Sequence, residues 1–341
     1  AGLLLGRLAD KLGRKTLIII GLSLYAAACY CFIAGDSALF FILLMGICGL
    51  AIGMFKTAAL ALIGDISADS ISHTRTMNKV EGFFALGAIA GPALVTLMIA
   101  ASIHWKQLYL VAGLLCTVLV IMAARLPYPP YKASVTQITL RQSLRLLKDR
   151  YALGFSLAIA LYVACEVAIF VWLPTLLAGY DGSFRFIALN AITIFFILRA
   201  AGRFLAGIVL QRFCWSSVMV LFTAAIFFCF LFSMLGGKDV ALWLMPLSGI
   251  FMSMIYPTLN SKGISCFPRQ QHGAVAGLIL AFTALSAALA PALMALIGDM
   301  VGNVSAGFYL ATVFAALLAV AMLFNWRAQP AKHRLAQNHN S

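Results

Sequence analysis

Long apolar runs alternate with short polar breaks along the whole chain. Runs of helical length fall at about 16–34, 38–66, 77–101, 106–125, 151–178, 185–211, 217–236, 240–263, 273–299 and 304–326. Each approaches or exceeds the roughly 20 residues a helix needs to cross a hydrocarbon core about 30 Å thick. Membrane strands would alternate apolar and polar residues over about ten positions, and these runs do not. The pattern predicts an all-α polytopic membrane protein with ten full transmembrane helices.

The polar breaks carry the charge, and they carry it unevenly. Lysine and arginine gather at Arg7, Lys11, Arg14 and Lys15, at Arg75 and Lys79, and from Arg125 to Arg150. They gather again at Arg212, at Lys262 and Arg269, and at Arg327, Lys332 and Arg334. The intervening breaks hold only Lys106, Arg185 and Lys238. This is the positive-inside pattern, which puts the basic loops and the C-terminus in the cytoplasm. It accounts for a net charge of +14 without nucleic acid. A chain 63% hydrophobic and 10% charged is not a soluble one, so the lipid bilayer is its expected surround.

The eight cysteines show no paired or metal-type spacing and read as small packing residues. The five histidines are scattered through loops and tail. No phosphate-cradling glycine loop follows a strand, and no nucleophile motif is present. No enzyme, no catalytic residue, no cofactor and no metal site are expected.

The longest polar interruption, 126–150, divides an N-terminal bundle (1–125) from a C-terminal bundle (151–326), with a cytoplasmic tail at 327–341. Within it, Leu140, Leu144 and Leu147 oppose Arg141, Arg145 and Lys148, a spacing suited to a short helix on an anionic leaflet. Four spans precede the linker and six follow. A carrier of two related six-helix halves would thus lack two helices here, and the opening AGLLLGRLADKLGRK reads as the inner end of a helix begun further upstream.

Within that opening, GRLADKLGRK (Gly6 to Lys15) resembles the loop motif between the second and third helices of the major facilitator superfamily, matching at Gly6, Asp10, Gly13, Arg14 and Lys15. The resemblance implies a major facilitator fold of two pseudo-symmetric helical bundles, with the motif acting as a conformational latch. At the second-half copy of the motif Gly207 matches, but Gln211 stands where aspartate would be. Three further stretches, LYVACEVAIFVWLPTLL (161–177), AAGRFLAGIVLQRF (200–213) and FMSMIYPTLNSKGI (251–264), resemble the seventh, eighth and tenth helices of the fucose-proton symporter family.

Ionisable groups deep in a span cost several kcal/mol, about 2.5–3.5 on insertion scales, and are functional candidates. Lys56 lies about ten residues from the end of its span, roughly 15 Å, too far for its stem to snorkel out. Gly49 and Gly53 share its face and leave room beside it. Glu166 lies roughly 22 Å into its span, one turn after Tyr162 and ahead of Trp172. Ser253, Tyr256 and Asn260 share a face, with Pro257 releasing a backbone carbonyl beside them. Arg199 and Arg203 fall at i and i+4, Asn190 lies nearer the outer end, and Arg203 is close enough to the inner end to be structural. The resemblance implies that the stretch from Glu166 to Trp172 faces a central cavity, where a carboxylate can accept sugar hydroxyls and an aromatic face can stack on a pyranose. Candidate substrate contacts are therefore Lys56, Tyr162, Glu166, Trp172, Asn190, Arg199, Tyr256 and Asn260. At the membrane edge Asp65, Arg75 and Glu81 join Gly6, Asp10, Gly13 and Arg14 as candidate gating residues. Ion pairing, helix packing and an interfacial aromatic belt are the plainer alternatives for these side chains. Gly87 and Gly91, in a partial match to the superfamily's antiporter motif, read as close-packing positions.

One departure bears on mechanism. The resembled sugar-proton symporters carry an acid in a Glu-Thr-Ala-Ala context, and here Lys56-Thr57-Ala58-Ala59 puts lysine in that place. Lys56 has three readings: partner of an acid such as Glu166, binder of an anionic substrate, or replacement for a coupling cation. The expected function is secondary active transport of a sugar or sugar derivative by alternating access, with protons as an optional partner, by a monomer in a bacterial inner (plasma) membrane. The alternatives are an exporter or antiporter of drugs or organic anions such as sugar acids, and a truncated, non-transporting remnant.

Overall fold

A computed structural model describes residues 12–67, 69–129 and 145–337. The motif residues Gly6 and Asp10, and most of the expected amphipathic linker helix, lie outside the described residues. In chain order the helices are α1 (Arg14–Cys31), α2 (Ala38–Ile66), α3 (Ser70–Ala100), α4 (Lys106–Arg125), α5 (Arg150–Leu176) and α6 (Arg185–Arg212). There follow α7 (Trp215–Met252), α8 (Ile255–Ser265), α9 (His272–Val301), α10 (Val304–Ala328) and the short α11 (Lys332–Gln337).

All ten apolar runs fall on helix. Among the described residues, eight helices are long and apolar enough to cross a membrane. The runs 217–236 and 240–263 belong to one helical stretch, Trp215–Ser265, interrupted at Gly237, whose φ of 69° and ψ of −160° are not helical. α3 opens with polar turns that carry Arg75, Lys79 and Glu81 and continues into an apolar stretch from Phe83 to Ala100.

Local chemistry sets the helix ends. Ser37 Oγ accepts from the Phe40 N–H at the start of α2. Asp69 Oδ1 accepts from the Ser72 N–H at the start of α3, and Asp149 Oδ1 accepts from the Tyr151 and Ala152 N–H groups at the start of α5. Each satisfies donors that a first turn leaves open, and the two aspartates also put negative charge at the positive end of the helix dipole. α1 starts from Gly13, whose φ of 86° suits glycine. Lys15 Nζ donates to the Ala124 and Leu126 carbonyls at the end of α4, placing a cation where the dipole is negative.

The helices gather into two compact units. One draws on residues 1–67, 90–152 and 267–281, the other on 68–89, 153–266 and 282–341. In the first, α1 packs on α2 and α4, and Leu17, Ile18, Leu22, Ala58 and Ala123 form a buried cluster. In the second, α6, α8 and α10 pack on α7. α5 has 67% of its apolar stretch buried, against 11% for α4, so α5 is the more enclosed of the two.

Small residues set the approach of α6 to α7 and to the turn that follows it. A β-carbon at Gly249 would lie 2.4 Å from the Phe195 carbonyl oxygen, and one at Gly202 would lie 2.4 Å from Ser253 Oγ. Without a hydrophobic force between helices in lipid, such contacts carry the packing. Gly87 and Gly91 differ from expectation: a β-carbon at either meets nothing within 4 Å among the described residues. The Gly249 contact predicts that Gly249→Val lowers thermal stability in detergent by about 1–3 kcal/mol. Gly49→Ala, where nothing lies within 4 Å, should cost nothing; equal losses would show that α6 and α7 can part without penalty.

Candidate functional site

The second unit holds a polar core built on a broken helix. Pro257 has no N–H to offer the carbonyl four residues back, which is that of Ser253. Between α7 and α8 the chain makes a turn at Ser253 and Met254, which interrupts the helical hydrogen-bond ladder while the backbone stays in the right-handed region. Two carbonyls at the break find side-chain donors instead. Arg203 Nε donates to the Ser253 oxygen at 3.1 Å, and Tyr162 Oη donates to the Met252 oxygen at 3.0 Å. Both donors are fully or almost fully buried, so water is no alternative partner.

Arg203 does more than close the break. Its Nη1 donates to the Glu81 carbonyl at 2.6 Å, and its Nη2 lies 3.3 Å from Glu81 Oε2. One turn along α6, Arg199 Nη2 forms an ion pair with Glu166 Oε1. The i, i+4 arginines thus face two carboxylates, Glu81 on α3 and Glu166 on α5, in a ladder of two positive and two negative groups. All four side chains are at most 11% exposed. Removing one member of a buried pair strands the other charge and costs about 3–5 kcal/mol.

Around the ladder sit other candidates. The Tyr256 ring lies 6.2 Å from that of Tyr162. Asn260 is fully buried, and neither of its amide atoms meets a hydrogen-bond partner among the described residues. An unmet buried polar group costs about 1–3 kcal/mol. Trp172 is half-buried, its Nε1 enclosed without a hydrogen-bond partner among the described residues. Asn190 turns its amide back to the Phe186 carbonyl of its own helix at 2.8 Å.

In the first unit Lys56 is half-buried on α2, and the space beside Gly49 is open to 4 Å among the described residues. Glu166, one partner considered for it, is engaged by Arg199 in the other unit. Among the candidate gating residues, Arg14 Nε meets Asp65 Oδ2 at 2.8 Å, and His272 Nδ1 stands 3.8 Å from Asp65 Oδ1. Glu81 and Arg75 are drawn elsewhere, Glu81 to Arg203 and Arg75 to Gln211. Arg203, read from the sequence as close enough to the inner end to be structural, is bonded to the Ser253 and Glu81 carbonyls and paired with the Glu81 carboxylate. Its i, i+4 relation to Arg199 was the signal that the two share a face.

The family model of the Major Facilitator Superfamily matches residues 1–282. The quinolone resistance protein NorA of Staphylococcus aureus is 32% identical over 133 residues, covering 38% of this chain and 33% of NorA. The chain therefore spans about a third of the length of that relative. The L-fucose-proton symporter of Escherichia coli K12 is 24% identical over 340 residues, 88% of this chain and 75% of the symporter. In structure, the fucose transporter FucP in its outward conformation superposes with a TM-score of 0.80 at 21% identity, covering 95% of this chain and 86% of FucP. The human organic anion transporter MFSD10 gives 0.77 at 17% identity, covering 94% and 80%. At such identities the structures speak for the fold, and the family match speaks for descent. The chain belongs to the Major Facilitator Superfamily, a family of transporters and not of enzymes.

Proposed function

We propose that this chain is a secondary active transporter that moves a neutral sugar or sugar derivative by alternating access, as a monomer in a bacterial inner membrane with its C-terminus in the cytoplasm. The observation that carries the reading is the charge-balanced ladder of Glu81, Arg203, Glu166 and Arg199. Its positive and negative groups cancel, so a neutral, hydroxyl-rich ligand binds beside it without leaving a buried charge unmatched. Glu166 would accept from sugar hydroxyls, Arg199 would donate to them, and Tyr162 Oη, whose proton is given to the Met252 carbonyl, would accept. Tyr256 and Asn260 supply neutral hydrogen bonds, Trp172 an apolar face, and Asn190 a polar position toward the outer end. The likeness to the L-fucose-proton symporter supports this assignment. The Arg14–Asp65 pair, whose arginine belongs to the same sequence motif as Gly6, Asp10 and Gly13, is the proposed gate. Arg75 and Glu81 complete the proposed gating set, Glu81 through its hold on Arg203.

A second reading is export of drugs or organic anions. It is favoured by the cationic Lys56 and by the likeness to NorA and to the organic anion transporter.

Uptake of labelled compounds into inside-in vesicles separates the two. The proposal expects saturable uptake of a neutral sugar and none of the matching sugar acids or quinolones. Uptake of sugar acids alone, or energy-dependent efflux of quinolones, would overturn it. The position of Lys56 predicts a second outcome. Lys56→Glu, which supplies the carboxylate that the resembled symporters carry there, should make sugar accumulation follow an imposed proton gradient. One proton per sugar gives about tenfold more accumulation per pH unit. Accumulation equally insensitive to the gradient in both forms would remove Lys56 from any part in coupling.

A further inference from the structure

At the end of the second unit that carries its basic loops, two adjoining clefts of about 330 Å³ each meet at Ile71, Cys214, Trp215 and Lys262. Arg75 and Arg212 line the first cleft, Lys332 lines the second, and Lys262 lines both. Among the described residues no carboxylate lines either one. Lys262 is only 7% exposed, with its ammonium 5.9 Å from the Trp215 ring centroid.

The charge in this cleft follows from a substitution. With its amide oriented to satisfy both groups, Gln211 accepts from Arg75 Nη2 and, at 3.3 Å, from Arg75 Nε. Gln211 stands where the resembled loop motif has aspartate. A neutral amide fixes the guanidinium by hydrogen bonds but adds no charge to offset it. Asp69, whose field reaches Lys262, has one oxygen engaged in capping α3 at Ser72. Among the described residues the clefts are thus lined by cationic side chains and no carboxylate, at the point where the helices leave the apolar layer.

We propose that this cleft binds a phosphate-bearing anion. Arg212 and the N–H groups of Arg75 that Gln211 does not take suit phosphate oxygens, Lys262 and Lys332 supply point charges, and Trp215 has the amphipathic ring that favours the membrane boundary. The phosphate comes either from the headgroup of an anionic phospholipid in the adjoining leaflet or from a soluble phosphate compound. The site is separate from the ladder of Glu166 and Arg199 and does not depend on the substrate assigned there.

The test uses the full chain in nanodiscs. Native mass spectrometry would count phosphatidylglycerol retained from mixed-lipid discs, and calorimetry would follow inorganic pyrophosphate binding in phosphatidylcholine discs. Arg212→Gln with Lys332→Gln removes two exposed cations, and Lys262→Gln removes the buried one, with thermal melting as the check on folding. Each cation removed should weaken binding about fivefold. Retention of one phosphatidylglycerol that pyrophosphate does not displace supports the lipid source. Saturable pyrophosphate binding supports the soluble source. Binding of neither, or binding that the Arg212→Gln/Lys332→Gln variant leaves unchanged, overturns the proposal.

Discussion

A carbonyl that loses its helical partner inside a membrane cannot turn to water. That constraint, acting at Ser253, organises the second unit. Pro257 withholds the N–H that would have met the Ser253 oxygen, and Arg203 supplies a donor in its place. A guanidinium drawn into an apolar interior must itself be neutralised, which brings in Glu81 from α3. The break, the arginine and the acid each leave an unmet group if the others are removed. Gly202 permits the arrangement, since a side chain there would collide with Ser253.

The second rung follows from the first. Arg199 sits one turn from Arg203 and would repel it if unpaired, and Glu166 meets it from α5. Tyr162, one turn before Glu166, ties α5 to the same break through the Met252 carbonyl. Four helices thus converge on one small polar region of the second unit. Such a region resists rearrangement unless a ligand replaces the bonds it disturbs, a demand that a polyol with several hydroxyls meets better than a single charge.

Much of the fold was legible in the sequence because membrane helices announce themselves by length and hydropathy, and the ten apolar runs all fall on helix. The break near Pro257 was legible too, since proline's missing N–H has the same consequence wherever it occurs. The partners were harder to read. Nothing in the spacing of Glu166 says whether it meets Arg199 or Lys56, because the choice depends on how α5 and α6 face each other. Glu81 read as a membrane-edge residue by its distance from the loop, yet Arg203 reaches back far enough to bury it. Gly87 and Gly91 have the spacing of a packing motif but no neighbour within 4 Å among the described residues, for spacing fixes a face and not what lies against it.

The central claim is that Arg199 and Glu166 hold each other in a neutral pair on which the polar core depends. A double-mutant cycle of Glu166→Gln, Arg199→Gln and both together, read by thermal unfolding in detergent, tests it directly. Each single change should destabilise by about 3–5 kcal/mol by stranding a buried charge, and the double change should recover most of that loss. Losses that simply add would contradict the account.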